Sequence, residues 1–200
     1  YKQRYEFYND GRFRVACASL GRGCGNDGTY RPVLRIAFAA EQNNFSEWDG
    51  SGFAGWEKEK WQLQNAATKY MEGKYQYKVS GNSQGYYLQP GTGNFGDGGR
   101  GDNAWVFVTL AKPSANEGEA DLVTIGPCCN TDYRQGPEKY IEPSPENIQN
   151  KKLVLWYVPQ LRNDDTKGRE YCWAETVLEN GVYVTKTYPC IAGPMFVPVQ

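Results

Sequence analysis

No histidine occurs anywhere in the 200 residues. That absence removes Ser-His-Asp and Cys-His arrangements, the usual proton shuttle near neutral pH and an imidazole copper site. No apolar run approaches the roughly 20 residues that span a bilayer as a helix. No C-x-x-C spacing is present, and structural zinc sites draw on Cys with Cys or His. Charge of one sign is also lacking. There are 22 basic and 23 acidic residues, net −1, without a long basic run. Capture of nucleic acid or of an anionic membrane by charge is therefore not expected. The opening Tyr1-Lys2-Gln3-Arg4-Tyr5 is neither an initiator Met nor a signal peptide. We read it as the start of a mature or trimmed chain.

What is abundant points to strands and turns. The chain holds 15 Tyr, 8 Phe and 6 Trp beside 23 Gly and 11 Pro, a composition of β segments joined by many turns. Its length suits a single domain over residues 1–200 with its own core. Six cysteines stand at 17, 24, 128, 129, 172 and 190. An even count in such a chain favours disulfides and an oxidising compartment, and six allow 15 pairings. Cys17–Cys24 would close a short Gly-rich loop, and Cys172–Cys190 would staple the arms of a hairpin. Cys128 and Cys129 then form a vicinal pair or cross to Cys17 and Cys24. Six reduced cytosolic thiols are the alternative.

Along the chain, Tyr5, Phe7, Phe13 and Val15 flank Asn9-Asp10-Gly11, a hairpin signal. Strand character returns at 30–40. Residues 41–55 are polar and Gly-containing, and read as loop. Residues 56–72 are the one helix candidate, but Trp56, Trp61, Leu63, Tyr70 and Met71 make no clean stripe, and a strand from Trp61 to Ala67 is equally tenable. Strands are expected at 74–79, 86–88, 105–110, 122–125 and, most strongly, 153–158. Residues 89–103 are too rich in glycine for a regular element. Tyr171–Leu178 and Val182–Tyr188 flank Glu179-Asn180-Gly181 and predict a hairpin with an Asn-Gly turn. The fold class is mainly β, an antiparallel β-sandwich with long Gly-rich loops, stapled by disulfides.

Several constellations invite chemistry. Asn44-Phe45-Ser46 is an N-glycosylation sequon, which suits a surface loop. Trp48, Trp56 and Trp61 lie in the most polar region, so they are the aromatics expected to be exposed and to stack on a ligand. Trp105, Trp156 and Trp173 sit in strands and are expected in the core. Asp97, Asp102, Glu119 and Asp121 have the hard oxygens that calcium takes, without EF-hand spacing. Asp97, Asp102, Glu117, Glu119 and Asp121 are also the only footing for hydrolysis by two carboxylates. Arg100-Gly101-Asp102 spells the tripeptide of adhesion ligands, a cheap three-residue match.

Four segments together carry a family resemblance. They are Tyr5-Glu6-Phe7-Tyr8-Asn9-Asp10-Gly11, Thr29-Tyr30-Arg31-Pro32-Val33-Leu34-Arg35-Ile36, Gly85-Tyr86-Tyr87-Leu88-Gln89-Pro90 and the run from Asn147 to Val158. In this order the chain resembles the second half of the catalytic β-sandwich domain of copper amine oxidases. The first segment resembles the strand and turn after that family's quinone-forming tyrosine. The second is similar to the strand with its His-x-His copper pair, and the last to the strand before its third copper ligand. The resemblance implies a sandwich, a two-fold partner and a dead copper site. Tyr30 and Pro32 stand where the copper pair would be, and no His follows Val158. The quinone-forming tyrosine would fall before Tyr1, and the catalytic base further upstream.

The sequence therefore predicts a secreted, non-catalytic module rather than an enzyme. It would bind a protein or glycan surface, self-associate, or serve as a subunit of an external assembly or fibre. No cofactor is expected, and calcium at the acidic loops is the one candidate. A glycan-binding, lectin-like domain and a carboxylate-dependent hydrolase are the alternatives. Contact is expected through the loops at 41–56, 89–103 and 112–121, since loops on a rigid scaffold tend to carry recognition.

Overall fold

A computed structural model of the chain describes residues 1–22, 25–82, 84–113, 134, 136–141 and 143–200. Its strands, in chain order, are β1 (Lys2–Phe7), β2 (Phe13–Ser19), β3 (Thr29–Tyr30), β4 (Leu34–Ala37), β5 (Asn43–Trp48), β6 (Phe53–Gly55), β7 (Lys60–Leu63) and β8 (Tyr77–Gly81). They continue with β9 (Gly85–Gln89), β10 (Trp105–Leu110), β11 (Leu153–Val158), β12 (Leu161–Arg162), β13 (Trp173–Glu179), β14 (Val182–Tyr188), β15 (Cys190–Ala192) and β16 (Met195–Pro198). Only short 3-10 turns, Glu72–Lys74 and Pro137–Tyr140, interrupt this pattern among the described residues. No helix there is long and apolar enough to cross a membrane.

Two sheets pack face to face. The larger, of eight strands, runs β1-β2-β16-β9-β8-β5-β6, with β15 also paired to β2. The smaller runs β4-β11-β10-β7, and every pairing is antiparallel. Alternation along each strand decides what goes between them. Phe45, Tyr77, Val79, Leu88 and Phe196 from the larger sheet meet Val106, Val108, Leu153, Leu155 and Tyr157 from the smaller one in a single core. β11 is buried at all six positions. Its odd-numbered residues face that core, while Val154, Trp156 and Val158 face a second cluster capped by Tyr140 and Ile141. This two-sided burial is why the segment reads as an unbroken apolar run.

Both predicted hairpins form. β1 and β2 join through Tyr8–Arg12, a longer connection than a two-residue turn, with Gly11 at φ +84°. β13 and β14 pair only with each other, and Asn180 and Gly181 take φ of 52° and 79° at the tip. A disulfide joins Cys172 and Cys190 at the base of this hairpin. Tyr171 Oη donates to Ile191 O at 2.9 Å beside it.

Two expectations need correction. Residues 41–55 are not loop. They form β5 and β6, whose alternation is concealed in the sequence because the inward positions Asn43, Phe45 and Glu47 include two polar residues. Of the two readings of residues 56–72 the strand holds, as β7 over Lys60–Leu63. Cys17 carries a free thiol on β2, so its expected pairing with Cys24 does not occur. Burial raises its pKa. Cys24, Cys128, Cys129, Glu117, Glu119, Asp121 and the expected strand 122–125 lie outside the described residues.

Candidate ligand-binding site

β5 ends on Trp48, and the chain reverses through Asp49-Gly50-Ser51-Gly52 before β6 begins on Phe53. Asp49 holds this turn: its Oδ1 accepts from Ser51 N at 2.7 Å, Ser51 Oγ at 2.8 Å and Gly52 N at 2.9 Å. These donors depress its pKa from 3.8 to about 2, because they favour the charged form. Gly50 has φ +108°. A β-carbon there would also lie 2.8 Å from Lys69 Cδ. Trp48 and Phe53 are paired across the turn, their rings edge-on at 5.4 Å.

A second loop closes over this turn. Asn65 Oδ1 accepts from Ala67 N at 2.8 Å, and Lys69 Nζ donates to Asp49 O at 2.8 Å. Between the two loops lies an open depression of about 320 Å³ lined by Glu47, Trp48, Asp49, Ala54, Gly55, Trp56, Lys60, Ala67, Thr68 and Lys69. Trp48 is half-buried, whereas Trp56 is buried against Phe45 at 5.0 Å and Tyr77 at 5.9 Å. Lys60 Nζ stands 4.1 Å over the Trp56 ring, a cation–π contact. Partial desolvation lowers the Lys60 pKa, opposed by the nearby Glu47 charge.

The floor of the depression opens a chain of buried polar groups. Glu47 accepts from Gln62 Nε2 and from Trp56 Nε1, the latter at 3.3 Å. Gln62 and Gln76 each donate to Tyr77 Oη at 2.8 Å, and Gln64 donates to Gln76 Oε1 at 2.6 Å. Tyr157 Oη then donates to Asp102 Oδ2 at 2.7 Å. Gln64 joins the two halves through a longer 3.4 Å contact to Tyr157 Oη. Burial pushes both phenols well above 10 and raises the Asp102 carboxyl. The chain thus satisfies polar groups that the core would otherwise penalise. At its far end Gln64, Tyr70, Arg100 and Asp102 line a smaller depression of about 230 Å³.

The carboxylates assigned to calcium or hydrolysis have another duty. Asp97 accepts from Gly93 N, Gly99 N and Gly101 N at 2.9, 3.0 and 3.0 Å. Asp102 accepts from Gly91 N at 2.9 Å, Gly193 N at 3.1 Å and Tyr157 Oη. The residues are 1% and 0% exposed. Both are anchors around which the Gly-rich loop 89–103 folds. Arg14 fastens the same loop, donating through Nη1 to Phe95 O at 3.3 Å and through Nε to Gly193 O at 3.0 Å. Glu119 and Asp121 are outside the described residues, and no group of three metal-ligating side chains gathers among the described ones. The adhesion-type tripeptide is not displayed either: Asp102 is buried, and Arg100 is paired with Asp164 and packed on Tyr171.

Trp61 does not join Trp48 and Trp56. It lies on the other face of the smaller sheet, edge-on to Trp105 at 5.3 Å, with Arg134 4.4 Å over its ring. Trp156 and Trp173 are buried as expected, while Trp105 is only partly so. Asn44 is exposed on β5, not in a loop, and exchanges hydrogen bonds with Asn150 at 2.7 and 3.1 Å. Lys60, Lys69, Glu47 and Asp49 are site residues that the sequence does not single out. The available signal is the Asp-Gly-Ser-Gly turn between Trp48 and Phe53, a tight reversal flanked by aromatics.

The fold and depression define a mainly β, sandwich-like protein with a disulfide and a polar, aromatic-walled recess. No family model matches the chain, and no curated protein matches it. A solved structure of PPLO, a copper amine oxidase, aligns with 98% of this chain and 32% of its own, at a TM-score of 0.48 and 12% identity. The chain thus spans about a third of that protein, and the likeness concerns the fold alone.

Proposed function

We propose that this chain is a non-catalytic, extracellular binding module whose ligand is a saccharide held in the depression beside Trp48. The observation that carries the reading is the convergence there of a half-buried indole with Glu47, Asp49, Lys60 and Lys69. An aromatic face with polar donors and acceptors around it matches a sugar, which offers an apolar ring face and a rim of hydroxyls. The Cys172–Cys190 disulfide supports an oxidising, external setting,. Hydrolysis by Asp97 and Asp102 is disfavoured, because their oxygens are committed to backbone donors and shielded from a substrate. Copper chemistry of the family resembled in sequence lacks its ligands, since the chain has no histidine. We read the chain as a degenerate relative in which the sandwich serves recognition.

The test is calorimetric titration of the whole protein with neutral and acidic oligosaccharides. Binding is expected, and Trp48→Ala is expected to weaken it about tenfold. Failure of every saccharide to bind, or an unaltered affinity in Trp48→Ala, overturns the reading.

A second reading, membership of a larger external assembly, is favoured by the β13–β14 hairpin. Leu178, Val182 and Tyr183 at its tip are 61%, 63% and 75% exposed, and apolar exposure of this kind marks contact surfaces.

A further inference from the structure

β1 closes one end of the larger sheet, and among the described residues no strand lies beyond it. An edge strand presents unpaired N–H and C=O groups to its surroundings. The hydrogen bonds around β1 show which groups these are. Tyr8 N donates to Arg12 O at 2.9 Å. Val15 N, opposite Tyr5, donates to Pro194 O at 3.3 Å and so turns away from β1. Arg4 and Glu6, in step with Tyr8, therefore bond to β2, and Gln3, Tyr5 and Phe7 turn their N–H and C=O groups outward. No proline or bulge blunts this edge: the register with β2 is unbroken from Lys2 to Phe7,.

The side chains follow the same alternation. Gln3, Tyr5 and Phe7 stand on the face that β2 turns to the core through Phe13 and Val15. A row of rings leads outward on that face. Phe13 stacks on Phe196 at 4.6 Å, and Phe7 on Phe13 at 6.3 Å. The outer end of the row is uncovered, with Tyr5 56% and Phe7 78% exposed. Lys2, Arg4 and Glu6 take the opposite face, where Arg4 and Glu6 pair at 2.8 Å.

The order of the charges selects what fits this edge. An antiparallel neighbour sets its residues directly opposite those of β1, on the same face. A second copy of β1, related by a two-fold axis at Tyr5, sets Tyr5 against Tyr5, Gln3 against Phe7 and Arg4 against Glu6. The outward backbone groups of Gln3, Tyr5 and Phe7 then meet one another. Moving the axis by one residue sets Arg4 against Arg4 or Glu6 against Glu6, and like charges directly opposite are destabilising. We propose that this chain forms a two-fold dimer through β1, centred on Tyr5, in which the two larger sheets become one. The contact is isologous, the same patch serving both copies. It does not rest on the saccharide reading, and it leaves free the depression at the β5–β6 end of the sheet.

The test is sedimentation velocity of the full chain over a range of micromolar concentrations. The wild-type chain is expected to pass from monomer to dimer as concentration rises. Tyr5→Lys and Tyr5→Glu each oppose like charges across the axis. Each is expected to raise the dimer dissociation constant about fivefold or more, with an unchanged circular-dichroism spectrum. Mixed in equal amounts, the two variants oppose ammonium to carboxylate and are expected to recover the dimer. Arg4→Glu, which sets an acid against Glu6 of the second copy, is expected to weaken it as well. A wild-type chain that stays monomeric overturns the inference. So does a dimer indifferent to all three substitutions, or a mixture that fails to re-form it. Association lost in Leu178→Ser combined with Tyr183→Ser, and untouched at Tyr5, assigns the contact to the hairpin tip and overturns β1 as the seam.

Discussion

At the scale of single residues, the most consequential side chains are acids that leave the surface. Asp97 takes three backbone N–H groups of its own glycine-rich segment, and Asp102 ties that segment to Gly91, Gly193 and Tyr157. Gly93 and Gly101, at φ of 94° and 77°, can turn their N–H groups onto one carboxylate because no side chain obstructs those conformations,. Asp97→Ala takes the shared acceptor from three part-buried N–H groups, on Gly93, Gly99 and Gly101. It is expected to cost about 3 kcal/mol, read as a lower guanidinium midpoint. A loss below about 1 kcal/mol would show that the loop folds without its anchor. Composition alone cannot tell such an anchor from a calcium ligand, because both uses demand oxygen close to glycine turns. The difference is where the donors sit, and they come from residues up to 91 positions away.

Elements differ in how openly they declare themselves. β11 was legible because burial on both faces leaves six apolar residues in a row, and β10 because its one polar residue, Thr109, is buried and accepts from Trp156 Nε1 at 3.0 Å. The β13–β14 hairpin was legible because Asn180-Gly181 accepts positive φ at both central positions,. β5 and β6 were not legible. Their inner face carries Asn43 and Glu47, whose polarity is satisfied by internal partners: Asn43 Nδ2 donates to Ala40 O at 2.6 Å, and Glu47 accepts from Trp56 and Gln62. Of the ten residues lining the depression, Glu47, Trp48, Ala54 and Gly55 lie on those strands, and of these four the sequence singled out Trp48 alone. The β13–β14 hairpin also bears on the assembly reading. If its tip mediates association, Leu178→Ser combined with Tyr183→Ser shifts sedimentation-velocity profiles from oligomer to monomer at micromolar concentration. A wild-type chain that sediments as a monomer at every concentration removes that reading.

For the whole molecule, the missing histidine has a thermodynamic consequence. No imidazole titrates on folding, so stability is expected to change little between about pH 6 and 8. On the acid side, Asp49 and Asp164 are held at about 2 against an ordinary 3.8. Backbone donors from Ser51 and Gly52 hold the first, and Thr166 and Arg100 hold the second. Their folded pKa lies below the unfolded value, so their contribution is complete above about 4 and fades as pH falls toward 2. Asp102 acts in the opposite sense, because burial raises its pKa, and it favours folding at lower pH. On the alkaline side, burial lifts Tyr171 from 10.0 to about 12. Its contribution is whole below about 10 and is lost as pH climbs through 12. Denaturant titrations across pH are expected to show a plateau with two falling flanks, and Asp164→Asn is expected to flatten the acid flank. An unchanged acid flank in Asp164→Asn would show that its low pKa is not coupled to folding.

The sequence by itself determined the chemistry this chain cannot perform through imidazole, the dominance of strands and the two hairpins, while the Cys172–Cys190 disulfide, one of 15 possible pairings, was settled by the structure,. Each of the first three follows from a residue type or a short local pattern. Only the tertiary structure decided which aromatics meet. Trp48 and Trp56 share a depression because two successive strands and the 65–69 loop enclose it, while Trp61 turns to the opposite face of the smaller sheet. It also decided that Asp97 and Asp102 hold a loop, and that Tyr5 and Phe7 stand on an open edge of the larger sheet. Those relations depend on pairing between strands distant in sequence, and a one-residue change of register would send each ring to the other face.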